Sequence, residues 1–204
     1  MWTELSTEEG IEKFWQWFAK RSEYIRDLYA EGRLSEIAAE ISAQLDGIDN
    51  RLAWEIGPAT GSALTLVLSA EGDPHLDAVA EALQKSTPPL SGWVFSRYRQ
   101  TKDISTIESI LRSQGYQIDL TQATAHPSVS PDRSRVDVQL VLPSAQALGP
   151  EDERNSVAFQ ILDGVLGEQA VEAFIGEVKL LNRSESKGIP LARFREFVHE
   201  LFSG

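Results

Sequence analysis

Apolar residues recur at helical spacing through the first part of the chain. Ser6 and Glu9 form a capping-box pattern, and apolar side chains then follow every three or four residues up to a break at Gly32. The same spacing resumes after the break. The pattern predicts two helices, over residues 6–31 and 33–46, that form an N-terminal helical hairpin.

The hydrophobic period then changes to two, which is typical of strands. Alternating stretches on both sides of a glycine-containing turn predict a β-hairpin over residues 52–68. Asp73 followed by Pro74 predicts the start of a helix, and residues 93–99 predict a third strand. Residues 51–100 therefore form a predicted strand-strand-helix-strand unit.

The same order of elements recurs further along the chain, over residues 117–181. A linking helix is predicted before it, over 103–114. The unit itself has predicted strands over 117–123 and 136–142, a helix that ends at Gly167, and a strand over 174–180. A final helix is predicted over 190–202. The recurrence rests on the order of elements and not on residue identity, so coincidence remains an alternative to duplication.

These elements predict the α+β fold class. Each strand-strand-helix-strand unit leaves an apolar sheet face and unpaired edges, and one shared sheet would satisfy both units. We therefore expect duplicated β-β-α-β units that form one antiparallel or mixed sheet, with helices packed on it. The chain is then a single domain over residues 1–204.

The charge of the chain limits the kinds of partner. It has 31 acidic and 19 basic residues, a net charge of −12, and a division after Lys102 gives −6 to each half. Nucleic acids and membrane surfaces are themselves negative and would repel the protein. The excess of acid either keeps the protein soluble or attracts a basic protein partner.

The residue inventory excludes several kinds of site. No cysteine is present, so disulfides and thiolate nucleophiles are excluded. His75, His126 and His199 lack the spacing of metal ligands, and no nucleophile elbow, phosphate-binding loop or dinucleotide fingerprint occurs. We therefore predict no catalytic residue, no metal and no cofactor. The N-terminus lacks a signal-peptide pattern, so we expect a cytoplasmic protein.

Two arginines stand out on the third strand. Side chains alternate along a strand, so Trp93, Arg97 and Arg99 are expected on one face, which begins apolar and ends with two guanidinium groups. An anion could bind to that face. The alternative is that both arginines pair with neighbouring carboxylates.

Three further residues are candidates for binding. Trp17 lies off the apolar stripe of the first helix, so it either faces the second helix or forms an exposed patch. Asp163 and Glu168 flank the glycine-rich end of a helix, where they either share acid-base chemistry or form local hydrogen bonds.

Several short motifs resemble a family of uncharacterised bacterial proteins. They are Phe14-Trp15-x-Trp17-Phe18, Ser69-Ala70-x-Gly72, Pro89-Leu90-x-x-Trp93, Arg97, and Leu162-Asp163-x-x-Leu166-Gly167-Glu168 before Ile175-Gly176. The resemblance spans most of the chain and departs from the family pattern in the segment from Pro127 to Ser134. It implies a bacterial source and a fold shared with the relatives. It implies no reaction and no residue role.

The first functional hypothesis is a non-enzymatic binding or accessory protein, such as an immunity-type protein, whose acidic surface covers a basic partner. The second is a small-ligand receptor or enzyme with an anion site formed by Arg97 and Arg99, and with Glu168 as a carboxylate partner. The third is a structural subunit of a homodimer, with apolar surface such as Trp17 at the interface.

Overall fold

The computed structural model describes residues 7–144, 148–184 and 186–203. The chain divides into two compact units, Met1–Tyr98 and Arg99–Gly204. Each unit has its own large cluster of buried apolar side chains. Ser6, the first residue of the predicted capping box, lies outside the described residues.

The first unit contains three helices and a three-stranded mixed sheet in its described part. Its elements are α1 (Thr7–Ala30), α2 (Ser35–Asp46), β1 (Ala53–Pro58), β2 (Leu64–Ser69), α3 (Pro74–Lys85) and β3 (Trp93–Ser96). The strand order is β1-β2-β3, with β2 antiparallel to β1 and parallel to β3.

Helix α1 packs its aromatic stripe onto this sheet. Phe14 and Phe18, four residues apart on one helical face, are fully buried. The Phe18 ring lies 4.9 Å from the Trp93 ring, edge to face. Burial of an aromatic side chain of this size contributes about 1.5–3 kcal/mol, so this stripe holds α1 on the sheet.

The predicted start of the third helix is confirmed. The Asp73 carboxylate accepts a hydrogen bond from the His75 N–H at 2.8 Å, and Pro74 occupies the first turn of α3. This arrangement satisfies an N–H group that the helix itself leaves without a partner.

The second unit contains four helices and a four-stranded mixed sheet in its described part. Its elements are α4 (Ile104–Ser113), β4 (Thr124–Val129), β5 (Val136–Val141), α5 (Glu151–Leu166), α6 (Glu168–Phe174), β6 (Ile175–Leu181), β7 (Ile189–Pro190) and α7 (Leu191–Phe202). The strand order is β6-β5-β4-β7. Along β5, Val136, Val138 and Leu140 are buried while Asp137 and Gln139 are exposed, as the alternation predicts.

The two sheets share one arrangement of strands. The hairpins β1-β2 and β4-β5 each pair six residues of one strand with six of the next, in antiparallel register. In each unit a helical connection then returns the chain to a third strand, which lies parallel to the second. Leu64 pairs with Trp93, and Val136 pairs with Ile175 in the corresponding position.

The α+β class and the N-terminal pair of helices are confirmed, but the expected single sheet is wrong. The described strands form two sheets because each hairpin takes its third strand from its own unit. In each unit helices also bury the apolar sheet face, so neither needs the other's strands for its core. That residues 1–204 form one domain stays a prediction.

Some element boundaries also differ from the prediction. The strand expected over 117–123 instead begins at Thr124 and includes Pro127, which pairs with Val138. A proline is tolerated there because β7 covers the first two residues of β4, and no described strand pairs with the remainder on that side. The short helix α6, directly after Gly167, was not predicted.

Candidate functional site

The third strand ends earlier than predicted, at Ser96. Arg97 and Arg99 therefore follow the strand, and strand alternation does not place them on one face. Arg97 belongs to the first unit, where its Nη2 lies 2.8 Å from the Asp77 carboxylate. Its guanidinium also lies 4.5 Å from the Tyr98 ring centroid and donates to the Tyr98 hydroxyl. Arg97 is thus already paired within its own unit.

Arg99, Asp163 and Glu168 come together in the second unit. The Arg99 Nη1 lies 4.0 Å from the Asp163 Oδ2, and the Glu168 Oε2 accepts the Arg99 main-chain N–H at 2.8 Å. The Glu168 N–H donates in return to the Arg99 carbonyl at 3.1 Å. Glu168 is only 6% exposed. A hydrogen bond from a residue 69 positions earlier in the chain therefore occupies this carboxylate, and this bond is not one of the local helix-end bonds that the sequence suggested.

The two candidate tryptophans contribute to the packing of the first unit. Trp93 is buried beneath α1, and within the described residues its indole N–H has no hydrogen-bond partner. Trp17 is half-buried, and its indole N–H donates to the Glu40 carboxylate at 2.8 Å, on α2. Arg21 lies 3.2 Å from the same carboxylate oxygen. Trp17 therefore faces the second helix, the first of its two predicted positions.

A groove that the sequence did not reveal lies between α1 and α3. Its volume is about 650 Å³, and it is lined by Glu8, Ile11, Glu12, Trp15, Gln16, Ala19, Ala82, Ser86 and Pro88. The floor is mainly apolar, and the Trp15 indole N–H donates to the Leu83 carbonyl at 3.1 Å, which fixes the ring in the wall. The small side chains of Ala19 and Ala82 keep the space between the helices open.

The rim of this groove is acidic. Glu8 and Glu12 are exposed and lie four residues apart on α1, so their carboxylates face the same side of the helix. Like charges at this spacing cost about 0.2–0.5 kcal/mol in isolated helices, and a bound cation would remove that cost. The first 98 residues hold 16 acidic and 8 basic residues, and the other 106 hold 15 and 11. The groove therefore lies on the more acidic unit.

Two other depressions have mixed charge. One of about 500 Å³ on the first unit places Arg26 beside Glu23 and Asp27. Another, of about 450 Å³ on the second unit, is lined by two basic residues, Lys102 and Arg195, and by two acidic residues, Asp103 and Glu196, together with other side chains. Neighbouring carboxylates oppose the binding of an anion in both places.

The described residues contain no group of three or more histidine, aspartate or glutamate side chains placed to hold a metal ion. His126 lies 3.2 Å from the Thr124 hydroxyl and 3.1 Å from the Ser186 hydroxyl, and no carboxylate of the described residues joins these contacts. His75 and His199 are exposed. No helix in the described part of the chain has the length and apolar character needed to cross a membrane.

The chain was compared with family models, with curated proteins and with solved structures. None of these matches it. The resemblance to uncharacterised bacterial proteins therefore stays a prediction from the short motifs, and the shape and charge of the first unit's groove carry the argument about function.

Proposed function

We propose that this chain is a non-enzymatic binding protein that takes a basic, amphipathic helix of a partner protein into the groove between α1 and α3. The observation that carries the proposal is the combination of an apolar floor with the acidic rim of Glu8 and Glu12. A helix with one apolar face and lysine or arginine beside it complements both features. The accessory or immunity-type role expected from the sequence is one biological form of this function.

The floor supplies an anchor point for an apolar side chain. Ile11 and Trp15 are both 5% exposed, so each is nearly buried and still reaches the groove surface. Interfaces gain most of their binding energy where an apolar side chain fills such a pocket and excludes water. The rim carboxylates then raise the rate of association and select a positive partner.

The alternative anion site at Arg97 and Arg99 has less support. Asp77 and Tyr98 hold the guanidinium of Arg97, and Asp163 lies beside that of Arg99. An incoming anion would have to displace these contacts. The pairing of both arginines with local groups therefore favours the protein-binding hypothesis over a receptor or enzyme.

The experiment uses an amphipathic helical peptide of leucine and lysine, about 15 residues long because shorter isolated helices are marginal. Its affinity for the full chain is measured by calorimetry at two salt concentrations. We expect the Glu8→Gln, Glu12→Gln double variant to bind about tenfold more weakly, since each rim ion pair contributes at most about 1 kcal/mol. The loss should shrink at high salt because salt screens exposed charges.

The matched control is the Glu23→Gln, Asp27→Asn double variant, which removes the same charge from α1 outside the groove. It should bind as the unmodified chain does. Ala82→Phe, which fills the groove and leaves its charges in place, should abolish binding. Equal losses in both double variants, or full binding by Ala82→Phe, would show that the peptide responds only to net charge and would overturn the proposal.

A further inference from the structure

Among the described residues, strand β1 pairs only with β2 and is an outer edge of the first unit's sheet. The Ala59 N–H donates to the Ala63 carbonyl across the hairpin at 3.0 Å. Because antiparallel hydrogen bonds alternate along a strand, the main-chain groups of Trp54 and Ile56 point away from β2. These groups have no hydrogen-bond partner in the part of the chain that the structure describes. These main-chain donors and acceptors are therefore unused among the described residues, while the Ile56 side chain belongs to the buried core of the unit.

The corresponding edge of the second unit is covered by the chain itself. Strand β4 has the same direction and register relative to β5 as β1 has relative to β2. The two-residue strand β7 pairs antiparallel with the start of β4. The Leu191 N–H donates to the Ala123 carbonyl there, at 3.0 Å. In this position of the sheet, the molecule therefore already accepts a short antiparallel strand.

The approach of that strand is close. A Cβ atom on Gly188, the residue before β7, would lie 2.8 Å from the Thr124 Cβ and nearer still to the His126 ring. A side chain at this position would force the His126 ring and Thr124 to move, so glycine allows the close approach of the segment to β4. This close fit indicates that the covering strand is a specific part of the second unit's sheet.

From this comparison we infer that the outer edge of β1 takes up an extended segment of a basic partner protein as an added antiparallel strand. Main-chain hydrogen bonds to Trp54 and Ile56 would supply the contact, as in strand addition to other exposed sheet edges. The inference rests on the proposed function only for the charge of the partner.

The charge of the first unit favours a basic partner over a second copy of the chain. Its 98 residues have a formal charge of −8. A symmetric pairing of two β1 strands through Trp54 and Ile56 would place the two copies of Glu55 opposite each other, and like charges directly opposite destabilise a pair of strands. A lysine-rich or arginine-rich segment would instead place positive charge against the negative unit and opposite Glu55.

The test adds an extended peptide to the full chain and follows amide hydrogen exchange by NMR. The peptide alternates lysine with valine or isoleucine over about eight residues, the length of a typical strand. At a free concentration about ten times its Kd, exchange at the Trp54 and Ile56 amides should slow about elevenfold, because about one molecule in eleven remains free. The amide of Ala125, which β7 already covers, is the internal control and should not change.

A second peptide has the same side chains but is N-methylated at every residue, so that it keeps the charge and loses the N–H donors. It should give no slowing at Trp54 and Ile56. Three results would overturn the inference. The two peptides could slow exchange equally, the first peptide could slow exchange elsewhere but not at Trp54 and Ile56, or the first peptide could fail to bind. Protection that appears without peptide and grows with protein concentration would assign the edge to a second copy. The helical-peptide experiment on the groove is independent, so either idea can fail alone.

Discussion

At the scale of single residues, Glu168 is the one acidic side chain among the described residues that is almost fully buried. Buried carboxylates are uncommon in proteins. Glu168 follows Gly167, whose φ of +86° favours glycine, and it accepts the main-chain N–H of Arg99. Its position at the first residue of α6 therefore ties α6 to the segment that follows the first unit. We assign Glu168 a structural role.

Glu168→Ala should lower the free energy of unfolding by about 1–3 kcal/mol, because it leaves the partly buried Arg99 N–H without this acceptor. Urea denaturation measures the change. Glu172→Ala, an exposed residue four positions later on α6, is the matched control and should stay within about 0.5 kcal/mol of the unmodified chain. Similar losses in both variants would contradict the structural role.

At the scale of elements, helix α4 depends on its N-cap. The Asp103 carboxylate accepts hydrogen bonds from the Ser105 hydroxyl at 2.5 Å and from the N–H and hydroxyl of Thr106 at 2.8 and 2.9 Å. These bonds, that of Ser105 first, lower the pKa of Asp103 from 3.8 to about 2. The folded protein therefore favours the ionised carboxylate more than the unfolded chain does.

A lowered pKa gives a stabilisation that is present above the unfolded value and is lost as the pH falls through the folded value. For Asp103 the loss falls between about pH 4 and pH 2. Asp103→Asn keeps a good N-cap residue but cannot titrate, so its urea midpoint should fall less than that of the unmodified chain over this interval. A constant difference between the two midpoints at pH 7, 4 and 2 would contradict the assignment.

The accuracy of the sequence-based predictions differed from one element to the next. The Asp73-Pro74 start of α3 and the alternation of β5 were predictable because each pattern is local. The end of β3 at Ser96 was not predictable, since the contacts of Arg97 with Asp77 and Tyr98 are not evident from sequence spacing alone. The groove was missed for a similar reason. Ala19 and Ala82 shape it from two helices, and sequence spacing does not show which small residues meet.

At the scale of the whole molecule, the two core clusters are separate. One contains buried residues from Ile107 to Val198, and the other contains residues from Ile11 to Trp93. Each unit also completes its own sheet among the described residues. A complete core and sheet within each unit are the conditions under which a domain folds alone.

We therefore expect fragments 1–98 and 99–204 each to unfold cooperatively in urea, as followed by circular dichroism. The single-domain prediction expects the opposite, that at least one fragment is unfolded. Fragment 1–98, with its charge of −8, should also retain the affinity for the helical lysine peptide. If fragment 99–204 bound the helical lysine peptide and fragment 1–98 did not, the assignment of the binding groove to the first unit would be wrong.

The pairing of β7 with β4 also bears on whether molecules of this protein can polymerise. If β7 left β4, residues 182–190, which carry a formal charge of +1, would be free to reach the open β1 edge of another molecule. Each molecule would then have one donor strand, in its second unit, and one acceptor edge, in its first unit. Such head-to-tail contacts extend into fibres when their rotation does not close a ring. Because β7 would have to leave its close approach at Gly188 and Thr124 first, we expect this packing to oppose self-assembly.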